Sequence, residues 1–205
     1  MDDLRRYAAD PRIAGITTNP SLMKKAGICD YRSFARAVLA AANGKPVSFE
    51  VLADDFPTIA RQAREIASWG SNVYVKLPIT NTSGESIVPL VDALGDLNLN
   101  ITAVMTLEQM RYLYSWVRPH HIVSVFAGRI MDTGRLPKTP FNRAQSLWAS
   151  AREVYHVTLA EEYGYDIITL TPDLIAKLPL RGKDLTEYSL ETVRMFHEDG
   201  RGIDL

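Results

Sequence analysis

The chain contains one cysteine, Cys29, so it forms no intramolecular disulfide. Its four histidines (His120, His121, His156 and His197) and that single thiol assemble no Cys/His zinc pattern, and no metal is expected. No apolar run approaches the ~18 residues a membrane span needs. The charged start Met1-Asp2-Asp3-Leu4-Arg5-Arg6 lacks the apolar core of a secretion signal. Net charge is nearly absent: 23 Lys and Arg stand against 24 Asp and Glu, a formal charge of -1. That balance excludes a global basic field for nucleic acid or an anionic membrane, while leaving room for a local anion site. Neither GxGxxG nor GxxxxGK[ST] occurs, which argues against a dinucleotide fold and a P-loop. No Gly/Ser/Pro linker divides the 205 residues, and 46% of them are hydrophobic, enough for a sizeable core. These absences predict a soluble, reduced, cytoplasmic protein, a single domain over residues 1–205, with no bound cofactor.

What is present is alternation. Strand-like runs at 13–18, 46–52, 73–77, 99–105, 122–126, 147–149 and 166–170 are interleaved with helical patterns at 4–9, 31–42, 56–69, 87–97, 107–116, 151–163 and 184–198. In 56–69, Ile59, Ala60, Ala63, Ile66 and Ala67 form one apolar stripe. Such alternation implies βαβ units and a parallel sheet, either doubly wound or closed into a (β/α)8 barrel. The absent phosphate loop disfavours the first. A barrel instead places functional polar residues near the C-terminal ends of many strands, and that pattern is found.

Residues two apart on a strand share a face. Thr17 and Asn19, Ser48 and Glu50, Tyr74 and Lys76, Asn100 and Thr102, and Ser124 and Phe126 form such pairs. The residues between and around them are mostly apolar: Ile16, Val47, Phe49, Val51, Val73, Val75, Leu77, Ile101, Val123 and Val125. The apolar set should face the helices and the polar set the barrel interior. Glu50, Lys76, Asn19, Asn100, Thr102 and Ser124 would then converge on one small space. Burying so many polar groups costs several kcal/mol unless they satisfy one another or serve chemistry. The bland reading is a hydrogen-bonded plug with a Lys76–Glu50 ion pair. The functional reading is Schiff-base chemistry: a desolvated lysine attacks a carbonyl, and the iminium serves as an electron sink for a carbon–carbon bond. Such chemistry needs no metal or cofactor. Glu50 and Thr102 are the candidates for proton exchange through a water.

A local anion site is also expected. Arg129 follows a strand in Phe126-Ala127-Gly128-Arg129, and Ser150 and Arg152 sit at the next strand-to-helix junction, with Ser150 as the helix N-cap. That is the usual phosphate position of a barrel. His120 and His121 read as packing or surface residues, Trp69, Trp116 and Trp148 as packing residues, and Arg135, Lys138 and Arg143 as a solvated loop.

At these residues the sequence resembles the transaldolase family, in its short-chain branch that includes fructose-6-phosphate aldolase. The matching stretches are Gly15-Ile16-Thr17-Thr18-Asn19-Pro20-Ser21-Leu22, Val73-Tyr74-Val75-Lys76-Leu77-Pro78, Asn100-Ile101-Thr102, Val125-Phe126-Ala127-Gly128-Arg129, Ala149-Ser150-Ala151-Arg152 and Thr171-Pro172-Asp173-Leu174. The resemblance implies a Schiff base on Lys76, a catalytic water held by Glu50 and Thr102, and donor hydroxyls bound by Asn19, Asn100 and Ser124, with Thr17, Ser48 and Phe126 also lining the substrate. It places the phosphate on Arg129, Ser150 and Arg152. It further implies sugar-phosphate substrates and a homo-oligomer, a pentamer or decamer, with the helix at 184–198 packed on a neighbouring subunit.

Two departures from the family pattern stand out. Members begin with a strand carrying an Asp general acid/base, whereas this chain starts in what reads as the helix after it. Asp2 and Asp3 fall in that helix and do not inherit the role. The expected fold is therefore a (β/α)8 TIM barrel lacking its first strand. The second departure is a shortened crossover after strand 6, where the 11 residues 136–146 include Pro137 and Pro140. The expected activity is transaldolase, moving a dihydroxyacetone unit between sugar phosphates. The aldolase branch carries Gln in place of Glu50 and Tyr in place of Phe126. A fructose-6-phosphate aldolase-type lyase and a truncated, non-catalytic relative that binds sugar phosphate remain the alternative readings.

Overall fold

The computed structural model describes residues 2–137 and 141–203. Lys138 and Pro140 lie outside the described residues. Seven strands form one all-parallel sheet in chain order: β1 (Ile16–Thr17), β2 (Val47–Glu50), β3 (Val73–Pro78), β4 (Leu99–Val104), β5 (Ile122–Val125), β6 (Gln145–Trp148) and β7 (Ile167–Ile168). The sheet curls into a partial (β/α)8 barrel. Among the described residues, no eighth strand pairs with β1 or β7.

The helices are α1 (Asp2–Ala9), α2 (Pro20–Lys25), α3 (Tyr31–Ala41), α4 (Phe56–Ala67), α5 (Val88–Ala93), α6 (Leu107–Leu113), α7 (Ala127–Asp132), α8 (Tyr155–Glu162), α9 (Pro172–Lys177) and α10 (Leu185–Asp199). Several start on side chains that satisfy a free helix N–H. Asp30 accepts from Ser33 N at 3.0 Å, Asp55 from Thr58 N at 2.9 Å and Asp184 from Glu187 N at 2.9 Å. Thr106 and Gln109 close a reciprocal capping box at α6.

Alternation along the strands sorts the two faces as expected. Val47, Phe49, Val73, Val75, Leu77, Ile101, Val123 and Val125 join the large core with Val38, Ile59, Ile66, Val91 and Leu113 of the helices. On the inner face Ile122, Leu147 and Ala149 form a second, small cluster with Tyr74, Phe126 and Ile167. β4 breaks the alternation once. Ala103 adopts φ 61° and the pairing with β5 slips between Ile101 and Val104. This bulge turns Val104 back toward the helix-facing core, so the inner face of β4 ends at Thr102.

Three expectations need correction. The helix expected at 151–163 begins only at Tyr155, so Ser150 caps nothing. Ser150 instead adopts φ 65°, a left-handed conformation that takes it out of the helical path. The crossover helix between β5 and β6 lies at Ala127–Asp132, directly after β5, and the described part of 136–146 contains no helix. Finally, α2, α7 and α9 were not anticipated. Pro20 and Pro172 open α2 and α9 at positions where the missing N–H costs nothing.

Candidate active site

The inner face carries its polar groups in register. Glu50 lies opposite Lys76, Lys76 opposite Asn100, and Pro78 opposite Thr102. Lys76 is 7% exposed. Its Nζ stands 2.9 Å from Glu50 Oε2 and donates to the Thr18 carbonyl at 2.9 Å. Beside it runs a hydrogen-bonded chain. Ser124 Oγ donates to Asn100 Oδ1 at 2.6 Å, and Asn100 Nδ2 donates to Ser48 Oγ at 3.0 Å. Asn100 is wholly buried, and Ser48 and Ser124 are nearly so. Thr102 lies one inner step beyond Asn100 toward the strand end, and its Oγ1 is buried with no partner among the described residues. An unmet buried hydroxyl costs about 1–3 kcal/mol.

Thus Glu50, Lys76, Ser48, Asn100, Ser124 and Thr102 are brought together. Asn19 is placed differently from the convergent set: its Oδ1 accepts from Leu22 N at 2.8 Å and caps α2. Thr17 pairs with Ser48 on the same face but is exposed, since β1 is an edge strand. Phe126 ends β5 and packs on the inner apolar cluster.

The residues expected to hold an anion lie around α7. Gly128 N donates to the Ala149 carbonyl at 3.2 Å. A Cβ on Gly128 would sit 1.7 Å from the Ser150 carbonyl oxygen, so only glycine lets the Arg129 turn press against Ser150. Arg129 is exposed, its guanidinium 5.6 Å from the centre of the Phe126 ring. Arg152 is exposed as well and binds Asp132 through two nitrogens, at 2.8 and 3.1 Å. His156 stands behind this turn. Its Nδ1 accepts from Trp148 Nε1 at 3.3 Å and Arg152 N at 3.4 Å, and burial lowers its pKa.

Sequence reasoning missed three participants. The Thr18 carbonyl is backbone, which side-chain parity does not see. Asp132 lay in a helix that was not anticipated. Tyr31, at the start of α3, hydrogen-bonds the backbone of Glu50, and an isolated aromatic near a helix start carries no pattern that would point there. The histidine and tryptophan readings fare better. His121 is wholly buried, its Nδ1 accepting from Arg118 N at 3.2 Å, and burial holds its pKa down at about 4. Trp148 is fully buried and Trp69 packs edge-on to Phe49, whereas Trp116 is 41% exposed.

Fold and site together define a class: a partial parallel (β/α)8 barrel with a buried lysine paired to a carboxylate on its inner face. Comparison with known proteins narrows the class. The family model described as transaldolase/fructose-6-phosphate aldolase matches residues 1–146. A probable transaldolase of Dehalococcoides mccartyi is 33% identical over 169 residues, 77% of this chain and 76% of that one. A probable transaldolase of Maridesulfovibrio salexigens is 29% identical over 205 residues, 93% of each chain. One from Hyphomonas neptunium is 31% identical over 203 residues, 93% of this chain and 89% of that one. The chain belongs to the transaldolase/fructose-6-phosphate aldolase family. No helix among the described residues is long and apolar enough to cross a membrane.

Proposed function

We propose that this protein is a Schiff-base transaldolase that transfers a dihydroxyacetone unit between sugar phosphates. The observation that carries the reading is the buried Lys76 amine with the Glu50 carboxylate 2.9 Å away on the inner face of a parallel barrel sheet. Glu50 takes a proton from the Lys76 ammonium. The free amine adds to the C2 carbonyl of a ketose phosphate, and loss of water leaves an iminium. The C3–C4 bond then breaks, its electron pair moving into the iminium to give an enamine. The C4 hydroxyl proton leaves to a base, and the aldose phosphate departs. The enamine adds to an acceptor aldehyde, and water hydrolyses the product iminium and restores the amine. Glu50 and Thr102 handle the water and its protons. Asn100, Ser124 and Ser48 face the donor hydroxyls, with Thr17, Asn19 and Phe126 at their edge. Arg129, Ser150 and Arg152 bind the phosphate, for which Arg152 exchanges its contact with Asp132.

Glu50 and Phe126 favour transfer over cleavage. A carboxylate titrates where an amide cannot, and a phenyl ring offers no hydroxyl to protonate the enamine. The enamine then persists until an aldehyde arrives. Fructose 6-phosphate followed by borohydride should add a reduced three- or six-carbon unit to the wild type and none to Lys76→Met, as read by mass. Transfer to erythrose 4-phosphate should exceed cleavage without acceptor. Phe126→Tyr with Glu50→Gln should shift that ratio toward cleavage. No adduct on folded wild type would favour the non-catalytic sugar-phosphate binder. Cleavage equally fast without acceptor would replace transaldolase by aldolase.

The same reading treats residues 1–205 as a single domain of a cytoplasmic protein that assembles as a homo-oligomer. The exposed apolar side chains of α10, with Leu185 at 79% and Phe196 at 64%, support its packing on a neighbouring subunit. Sedimentation should give a pentamer or decamer, and deleting α10 should dissociate it.

A further inference from the structure

In a parallel strand, successive residues point their N–H and C=O to alternate sides. On β2, Pro46, Ser48 and Glu50 point toward β1, as Ile16 N donates to Pro46 O and Thr18 N to Ser48 O. Continued pairing would next give the Glu50 N–H to the Thr18 carbonyl. That carbonyl instead accepts from Lys76 Nζ. The edge of Glu50 is satisfied from outside the sheet. Tyr31 Oη accepts from Glu50 N at 2.9 Å and donates to Glu50 O at 2.9 Å, so one hydroxyl satisfies both groups. The ring is fixed edge-on against Phe49 and Trp69, at 6.1 and 5.4 Å between centroids. Burial pushes its phenol up to about 12, so the hydroxyl keeps the proton it donates.

We propose that Tyr31 is a positioning residue for the Lys76–Glu50 pair. Its hydroxyl takes the place of a β1 residue beside Glu50, which frees the Thr18 carbonyl for Lys76 and holds the Glu50 carboxylate at the amine. Its hydroxyl is engaged by the Glu50 backbone on both sides. Its effect on turnover rests on the Schiff-base reading above; its effect on the Glu50 backbone does not.

Tyr31→Phe keeps the ring and removes the hydroxyl. Losing two half-buried hydrogen bonds that orient a proton-transfer group should lower kcat about tenfold or more. KM for fructose 6-phosphate should stay within about twofold, because no binding group is lost. Amide exchange at Glu50 should quicken by about tenfold or more, while the Val51 amide, which donates to Lys76 O, stays protected. Trp69→Phe loosens the same aromatic cluster without touching the hydroxyl. It should lower the melting temperature and leave kcat and Glu50 exchange near wild type. Unchanged kcat in Tyr31→Phe, or an equal fall in Trp69→Phe, would overturn the proposal. If the wild type forms no borohydride-trapped adduct, the Schiff-base reading falls and the Glu50 amide alone decides. Faster exchange confined to Glu50 then upholds the anchoring by Tyr31, and unchanged exchange overturns it.

Discussion

Neutralising the Lys76–Glu50 pair separates ions kept for chemistry from ions kept for stability. The two groups are 2.9 Å apart. At an effective dielectric of about 20, their attraction is about 6 kcal/mol. The side chains are 9% and 16% exposed, and withdrawing each ion from water costs several kcal/mol. The opposing amounts nearly cancel, so the pair contributes little net stability. Lys76→Met alone strips the carboxylate of its cation. The residual exposure of Glu50 lets water take part of that load, and the expected loss is about 1–3 kcal/mol. Lys76→Met with Glu50→Gln removes both charges at similar volume. It should fall within about 1 kcal/mol of wild type or exceed it. Urea unfolding at neutral pH reads each variant as a shift in midpoint at constant slope. A double variant that loses more than about 3 kcal/mol would refute the reasoning, because the pair would then be a structural clamp.

Three further outcomes are expected. Arg129→Ala or Arg152→Ala should raise KM for phosphorylated sugars tenfold or more, a charge-assisted contact being worth about 1.5–3 kcal/mol; free dihydroxyacetone should be affected much less, and equal losses would mark both residues as structural. Gly128→Ala drives a Cβ to within 1.7 Å of the Ser150 carbonyl oxygen. It should cost about 2 kcal/mol or more, and an unchanged melting temperature would contradict the close approach. His121 is held near pKa 4 against 6.5 in a free chain. A depressed histidine contributes stability that is present above 6.5 and lost as pH falls toward 4, here about 3 kcal/mol. His121→Gln should flatten the acid side of the stability–pH curve in that window, as measured by urea unfolding.

Much of this molecule is written locally. Period-two alternation in Val73-Tyr74-Val75-Lys76-Leu77 assigns each side chain to a face without knowledge of its neighbours. The interleaving of such strands with helices predicted a parallel sheet, and their period-two pairs predicted a helix-facing core and a polar inner face. The helix starts expected at 31, 56 and 184 fall within one residue of those observed, where caps at Asp30, Asp55 and Asp184 act on N–H groups three residues on. Geometry that joins distant segments was not. Tyr31 meets Glu50 across 19 residues, Lys76 meets the Thr18 carbonyl across 58, and Arg152 meets Asp132 across 20. Each is set by where the sheet edge, α3 and α7 come to lie. The left-handed Ser150 and the bulge at Ala103 belong to the same category. Neither residue type favours φ > 0, and both conformations exist because packing against Gly128 and the slipped β4–β5 pairing over-determine them. Sequence alone assigned the side chains of β2 to β5 to their two faces up to the bulge in β4; tertiary structure decided which of them touch and placed Asn19 on the start of α2 instead, because backbone carbonyls, strand ends and close approaches carry no side-chain period.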